Sequence, residues 1–477
     1  MNENPAALIP ELCLVFGAVI GLLTGSWLPR DRQWLVRLAA AAACLVGLAA
    51  TIVAMGQPDQ TVFDGSFAVD IGLNVTRLVV LSATLLSLCL SIDAVAGHRR
   101  ETEFYVLLLL GALGSLTLAG ANDLLVLVAA YLLASIPLYA LAGFGKDSAG
   151  TEAALKYYLM GAFCGVLLLV GVTLLFGVGR GTDYPTLAEN LPTAARAVVA
   201  IGLIGVLAGL LFKAGAVPAH FWVPDVAEGA PAPVAAFVTT IPKIGALVAL
   251  YRLVEQALPA APVDWSLLIA VIAAMTMTLG NLAAFFQDDV RRLLGYSAVS
   301  QVGYLLMAVA VAGRAELALP SLMFYLAAYA VTNLGAFAVV CELPAARRLS
   351  DYTGLFHRER WLALALVVCL LGLVGTPPTG VFIGKLTVFS AALDGGLGWL
   401  VVLAVANTVA SVFYYLRWIA PLFRVPALPQ THQDRAVLRL AGRWGKLAAH
   451  SAALATLAVG VAAGPILALV TGGLVLR

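Results

Sequence analysis

Charge is what this 477-residue sequence has least of: 11% of its residues are Asp, Glu, Lys or Arg, against 62% hydrophobic, and its mean hydropathy is +0.97. A soluble domain keeps roughly a quarter of its residues charged to cover its surface. A water-soluble globule is therefore excluded, and lipid is left as the solvent. Water does not reach a bilayer core, so backbone there must satisfy itself in helices or a closed barrel. The ten-residue alternation of barrel strands is also missing, whereas apolar runs of about twenty residues, rich in Leu, Ala, Val and Gly, recur throughout. That leaves an all-α membrane protein.

Other absences narrow the chemistry. The six cysteines, Cys13, Cys44, Cys89, Cys164, Cys341 and Cys369, lie in or beside apolar runs, and none pairs in a Cys-x-x-Cys spacing. They read as small packing residues, so no metal or iron–sulfur ligand set is expected. Glycine-rich phosphate loops and nucleophile–base motifs are missing too. Residues 1–8 carry no basic stretch, so a cleaved signal peptide is not expected. Without a long hydrophilic insertion, the chain reads as one polytopic domain over 1–477.

Windows of about twenty residues predict fourteen spans. They lie near 7–25, 33–54, 70–92, 103–118, 122–142, 154–178, 197–225, 231–254, 265–286, 293–312, 317–340, 361–393, 398–420 and 447–472. Basic residues concentrate in alternate loops, among them Arg30, Arg32, Arg37, Arg99, Arg100, Arg291, Arg292, Arg347, Arg348, Arg435 and Arg439. Cytoplasmic loops hold such an excess, which predicts both termini outside. Arg77, Arg180, Arg196, Arg252, Arg314 and Arg477 are assigned to the outer side. Three basic residues remain inside apolar segments: Lys213, Lys243 and Lys385.

A lysine at the bilayer centre costs about 2.5 kcal/mol or more, so it is rare without a task or a partner. Snorkelling explains lysines near helix ends. Lys243 lies ten residues beyond Pro233, about 15 Å along a helix, which is too deep for that. The long segments 197–225 and 361–393 are interrupted, the first at Gly215, Pro218 and Pro224, the second by GTPPTG with Pro377 and Pro378. Proline removes a backbone donor, so both should break inside the membrane, where unwound backbone needs protein or a wet cavity around it. Lys213 is assigned to the first break and Lys385 to the second. Paired interrupted segments mark transporters built from repeats; two packing kinks are the alternative. Out of water a lysine gives up its proton more readily, and nearby groups can restore it, so a buried lysine suits proton transfer. His220, beside Pro218, is either a further relay or a structural histidine.

The run FKAGAVPAHFWVPDVAEGAPAPV, from Phe212 to Val234, closely resembles the signature of the antiporter-like membrane subunits of respiratory complex I. The segments ANDLL at 121–125, EAALKY at 152–157, RRLLGYSAVSQVGY at 291–304, NLGAF at 333–337 and GTPPTGVFIGK at 375–385 resemble further motifs of that family. Pro10-Glu11, the DVAEGAP run and lysine at 385 are most similar to its N-type branch. The resemblance covers residues 10–420. It implies fourteen helices with two inverted five-helix repeats, 103–254 and 265–420, each holding a broken helix. Helices of 1–118 precede and overlap the first repeat, and a cytoplasmic loop and last helix, 421–477, follow the second. It also implies proton transfer through Lys213, Lys243 and Lys385 in a bacterial cell membrane. NADH, FMN, iron–sulfur clusters and quinone are expected in other subunits, and no cofactor in this one. Neighbouring membrane-arm subunits and the lipid bilayer are the expected partners, not nucleic acid.

One departure stands out. The family's fifth helix carries a glutamate that pairs with the lysine of the first broken helix. Alignment on ANDLL and on Ser135–Tyr139 puts Leu132 there, with Tyr131 beside it, and no acid lies between Asp123 and Lys146. Desolvation of Lys213 then lacks its usual counterweight. Either another group holds Lys213, or the chain is a structural arm with an inactive channel. A multisubunit Na+/H+ antiporter or a membrane-bound hydrogenase-type complex is the other transporter reading.

Overall fold

The computed structural model describes residues 4–425, 442–470 and 473–474. The expected loop charges Arg435, Arg439 and Arg477 lie outside them. The chain is mostly helical: α1 (Ile9–Trp27), α2 (Trp34–Ala54), α3 (Ile71–Val95), α4 (Glu101–Gly120), α5 (Leu124–Leu133), α6 (Ile136–Ala142) and α7 (Ser148–Gly179) come first. Next are α8 (Tyr184–Asn190), α9 (Arg196–Ala214), α10 (Trp222–Gly229), α11 (Ala232–Arg252), α12 (Trp265–Phe285), α13 (Val290–Ala310) and α14 (Ala318–Glu342). The chain closes with α15 (Leu355–Arg358), α16 (Arg360–Val374), α17 (Gly380–Asp394), α18 (Gly398–Leu422), α19 (Trp444–Val461) and α20 (Ala463–Leu469). A hairpin of β1 (Gln60–Val62) and β2 (Phe67–Val69), not foreseen from sequence, joins α2 to α3.

Aspartates start many of these helices. Asp70, Asp123, Asp147, Asp183, Asp264 and Asp289 each accept a backbone N–H of the first turn of α3, α5, α7, α8, α12 and α13. Those amides have no partner inside the helix, so a short acidic side chain satisfies them and complements the positive helix end.

Twelve helical segments among the described residues are long and apolar enough to cross a membrane, and a thirteenth is formed if α19 and α20, bent by 78°, count as one. The chain is a multi-pass membrane protein. Of the fourteen expected spans, the segment 361–393 is not one helix but α16 and α17, fifteen residues each, on either side of a break. The segment 197–225 is likewise cut at Ala214. The stretch 122–142 is parted into α5 and α6 just ahead of Pro137, which cannot donate to a helical bond.

Helices α11, α13 and α14 form the centre, with α11 buried throughout and α13 nearly so. Around them, α12 packs along α13, α7 along α9, and α14 meets α11, α13, α16, α17 and α19. By contrast α1 and α2 expose most of their length, with Phe16, Leu23, Leu45, Ile52 and Val53 on the outside. An apolar exterior is what a lipid solvent leaves unpunished.

Two arginines assigned to the outer side are buried in ion pairs. Arg77 lies within α3 and donates from Nε and Nη2 to the Glu11 carboxylate at 2.8 and 2.7 Å, and from Nη1 to Asn74 Oδ1. Arg252 ends α11 and holds Asp70 through two bonds of 2.7 and 2.9 Å. The charge pattern alone could not separate them from loop residues, because their acids are far off in sequence.

Pro242 sits inside α11, yet the helix continues through it. Beside it the Ser115 hydroxyl of α4 enters the ladder, donating to the Ile241 carbonyl at 2.9 Å and accepting the Gly245 N–H at 3.2 Å. The two backbones touch here: a Cβ at residue 245 would fall 2.1 Å from the Ser115 carbonyl oxygen. Gly245→Ala is therefore expected to push α4 off α11, at a cost of about 1–3 kcal/mol or more. A lowered thermal midpoint of the solubilised protein would register it; an unchanged midpoint would refute the close contact.

Candidate functional site

Both broken segments end in the same way. At the first, Gly215 takes φ +77°, and the Gly215 and Ala216 amides fold back onto the Leu211 carbonyl at 2.8 Å each. At the second, Gly375 takes φ +86°, and the Gly375 and Thr376 amides reach the Leu371 carbonyl at 3.1 Å each. A left-handed glycine lets the chain turn off the helix while its last carbonyls still find donors. Pro218 follows Gly215 between α9 and α10, and Pro377 and Pro378 lie between α16 and α17. Pro224 does not belong to the break. It is the third residue of α10, in a first turn whose amides have no helical partner, so the proline costs nothing there.

The three lysines are all buried, but they distribute themselves differently from the sequence expectation. Lys243, not Lys213, stands over the first glycine: a Cβ at residue 215 would lie 3.4 Å from its Nζ. Its Nζ has no hydrogen-bond partner among the described residues. Lys385 stands over the second glycine in the same manner, its Nζ 3.7 Å from where a Gly375 Cβ would be. It donates to the Val374 carbonyl at 2.9 Å and lies 4.2 Å from the centre of the Tyr304 ring. That carbonyl is one of the orphan acceptors at the end of α16, where the helix dipole favours a cation.

Lys213, on the last turn of α9, turns instead to the joint between α5 and α6 and donates to the Ala134 carbonyl at 3.0 Å. Leu138 N–H bonds to Ser135 rather than Ala134, which leaves that oxygen available. Leu132, the position aligned with a glutamate, is 47% exposed, while its neighbour Tyr131 points into the protein. Asp123 is occupied elsewhere, capping α5 and accepting from Thr182. His220 lies buried in the first break against Phe221, ring centres 4.4 Å apart, and no hydrogen bond joins it to the lysines among the described residues.

Between the two breaks runs a row of polar side chains that the motif reading missed. Asn333 donates to Thr240 Oγ1 at 2.8 Å, and Tyr329 Oη to the Thr239 carbonyl at 3.0 Å, one turn from Lys243 on α11. Tyr325 Oη donates to Gln301, whose amide nitrogen reaches the Leu373 carbonyl at 2.8 Å, next to the carbonyl that holds Lys385. A signal existed. Ser297, Gln301 and Tyr304 recur at helical spacing in α13, the least apolar of the spans and among the most buried.

At one end of the molecule, α7, α10 and α13 meet in a cluster of charges. Lys156 pairs with Glu152 and Asp225 at 2.8 and 2.9 Å, and Arg292 with Asp225 and Glu228 at 2.7 and 2.8 Å. They line a cavity of about 170 Å³. Arg292 thus ties the start of α13 to α10, the short helix after the first break. At the second break α19 comes close, since a Cβ at Gly460 would lie 1.9 Å from the Pro378 carbonyl oxygen.

Residues 121–411 match the family described as the NADH:quinone oxidoreductase/Mrp antiporter membrane domain. NADH-quinone oxidoreductase subunit N 1 of Streptomyces griseus is 59% identical, with 98% of each chain covered. Subunit N of a Mycobacterium species is 52% identical, again over 98% of both. A chain of Thermus thermophilus respiratory complex I superposes with a TM-score of 0.83 at 32% identity, covering 97% of this chain and 100% of that one. The Mrp complex of a Dietzia strain also gives 0.83, at 22% identity over 98% and 96%, a likeness of fold alone. This chain belongs to the NADH-quinone oxidoreductase subunit N family, within the wider NADH:quinone oxidoreductase/Mrp antiporter membrane proteins.

Proposed function

We propose that the chain is a proton-translocating membrane-arm subunit of a bacterial NADH-quinone oxidoreductase. Protons move through Lys213, Lys243 and Lys385 while quinone reduction proceeds in other subunits. The observation that carries this reading is the shared setting of Lys243 and Lys385. Each is a buried amine laid against a left-handed glycine at a helix break, and a row of hydroxyl and amide groups runs between them. Groups of this kind, with water between them, pass protons along. Two inverted five-helix repeats, both termini outside, and NADH, FMN, iron–sulfur clusters and quinone bound by partner subunits complete the proposal. His220 is retained as a candidate relay at the first break.

Lys243→Ala tests it in the assembled complex reconstituted in vesicles. NADH oxidation by an artificial acceptor should persist while protons pumped per NADH fall severalfold. Pumping at the unaltered ratio would instead favour a structural arm.

A further inference from the structure

Lys213 is the one lysine of the three that the family pattern would pair with a carboxylate, and no carboxylate lies within 4 Å of its Nζ among the described residues. What surrounds the ammonium is aromatic. Nζ lies 5.3 Å from the centre of the Tyr131 ring, 5.6 Å from Phe212, 5.8 Å from Tyr157 and 5.9 Å from Tyr139. A cation within about 6 Å of a ring face is attracted to the negative pole of its quadrupole, more strongly where water is excluded.

The rings are locked rather than incidental. Tyr131 Oη donates to the Gly161 carbonyl at 2.8 Å, and Tyr139 meets Tyr157 edge-on with centres 4.8 Å apart. Tyr157 stacks on Trp222 at 4.2 Å, and Trp222 Nε1 donates to the Phe212 carbonyl at 3.0 Å. Glycine at 161 makes the space, because a Cβ there would lie 1.8 Å from Tyr139 Oη and 2.9 Å from Phe212.

We propose that Tyr131, Tyr139, Tyr157 and Phe212, with the Ala134 carbonyl, form an aromatic cage that holds the Lys213 ammonium ion in place of a carboxylate partner. The proposal rests on the reading of Lys213 as a proton carrier. It has a chemical consequence. When a lysine paired to a carboxylate loses its proton, an unpaired anion stays behind in a dry site, which is costly. A cage of neutral rings leaves no charge when the proton departs, so Lys213 can empty and refill without a compensating cation. The rings are positioning residues; the proton itself stays on the amine.

The test uses the whole complex in vesicles and reads protons pumped per NADH. Tyr157 has a hydroxyl without a hydrogen-bond partner among the described residues, so Tyr157→Phe keeps the ring face and serves as the zero-fluorine reference of the series. Replacing residue 157 by phenylalanines carrying one, two and three ring fluorines withdraws the quadrupole stepwise at nearly constant shape. Proton transfer should fall stepwise, to a loss of roughly tenfold. The same series at Phe212, which needs no prior substitution, covers the case in which the position-157 variants do not assemble. In a Lys213→Met background the fluorine series should have no further effect. A flat series alongside a damaged Lys213→Met variant would overturn the cage and leave the lysine's role standing. Normal pumping by Lys213→Met would overturn both.

Discussion

Replacing Lys385 with alanine should stop proton transfer through the second half of the chain while the complex still assembles and oxidises NADH. The side chain lies across Gly375 and gives its only hydrogen bond among the described residues to the Val374 carbonyl, with the Tyr304 ring beneath. No other described side chain donates to that carbonyl, so its loss leaves no substitute proton carrier at the break. A positioned proton donor or acceptor is worth roughly 10²- to 10⁴-fold in rate, and a fall of that order is expected. Packing loss is separable by Lys385→Met, which keeps the stem, and by Lys385→Arg, which keeps the charge. Arginine does not give up its proton in proteins, so both should be as inactive as alanine. An arginine variant that pumped normally would mean that a fixed positive charge suffices, and the proton-relay reading would fail.

The second large effect concerns assembly. Arg252→Ala should prevent accumulation of the folded chain. Asp70 is fully buried, caps α3 through the Leu73 N–H and receives two bonds from the Arg252 guanidinium. Removing one member of a buried pair takes the guanidinium counter-ion from the other, at about 3–5 kcal/mol. That is a large part of a typical folding free energy. Asp70→Asn combined with Arg252→Gln removes both charges and should recover much of the loss. A single variant as abundant and heat-stable as the parent would show the pair to be dispensable.

The helical membrane fold could be read from charge scarcity and run length, and the two breaks from their glycines and prolines. Lipid admits few alternatives for backbone, so composition constrains a membrane chain more tightly than a soluble one. Which lysine serves which break could not be read. Lys213 is two residues from Gly215 along the chain, but the turn of α9 carries its side chain toward α5, and Lys243 arrives from another helix. Pro224 was misplaced because a proline in a first helical turn and one in a break look alike in sequence. The acids that hold Arg77 and Arg252 could not be read either, because Glu11 and Asp70 reach them only in the folded bundle. The missing glutamate at Leu132 was visible at once, whereas the rings around Lys213 come from four helices and needed coordinates.

Gly460 carries no side chain where the Pro378 carbonyl approaches, so α19 can pack directly against the second break. That helix is made after everything it covers. Until the ribosome has delivered Trp444–Val461, the unwound backbone at 375–379 lacks this neighbour, and lipid offers it no hydrogen bonds. The order of synthesis therefore makes α19 a late check on assembly. A chain halted before it would carry a polar defect inside the bilayer, the kind of fault by which membrane quality control can tell an unfinished protein from a finished one.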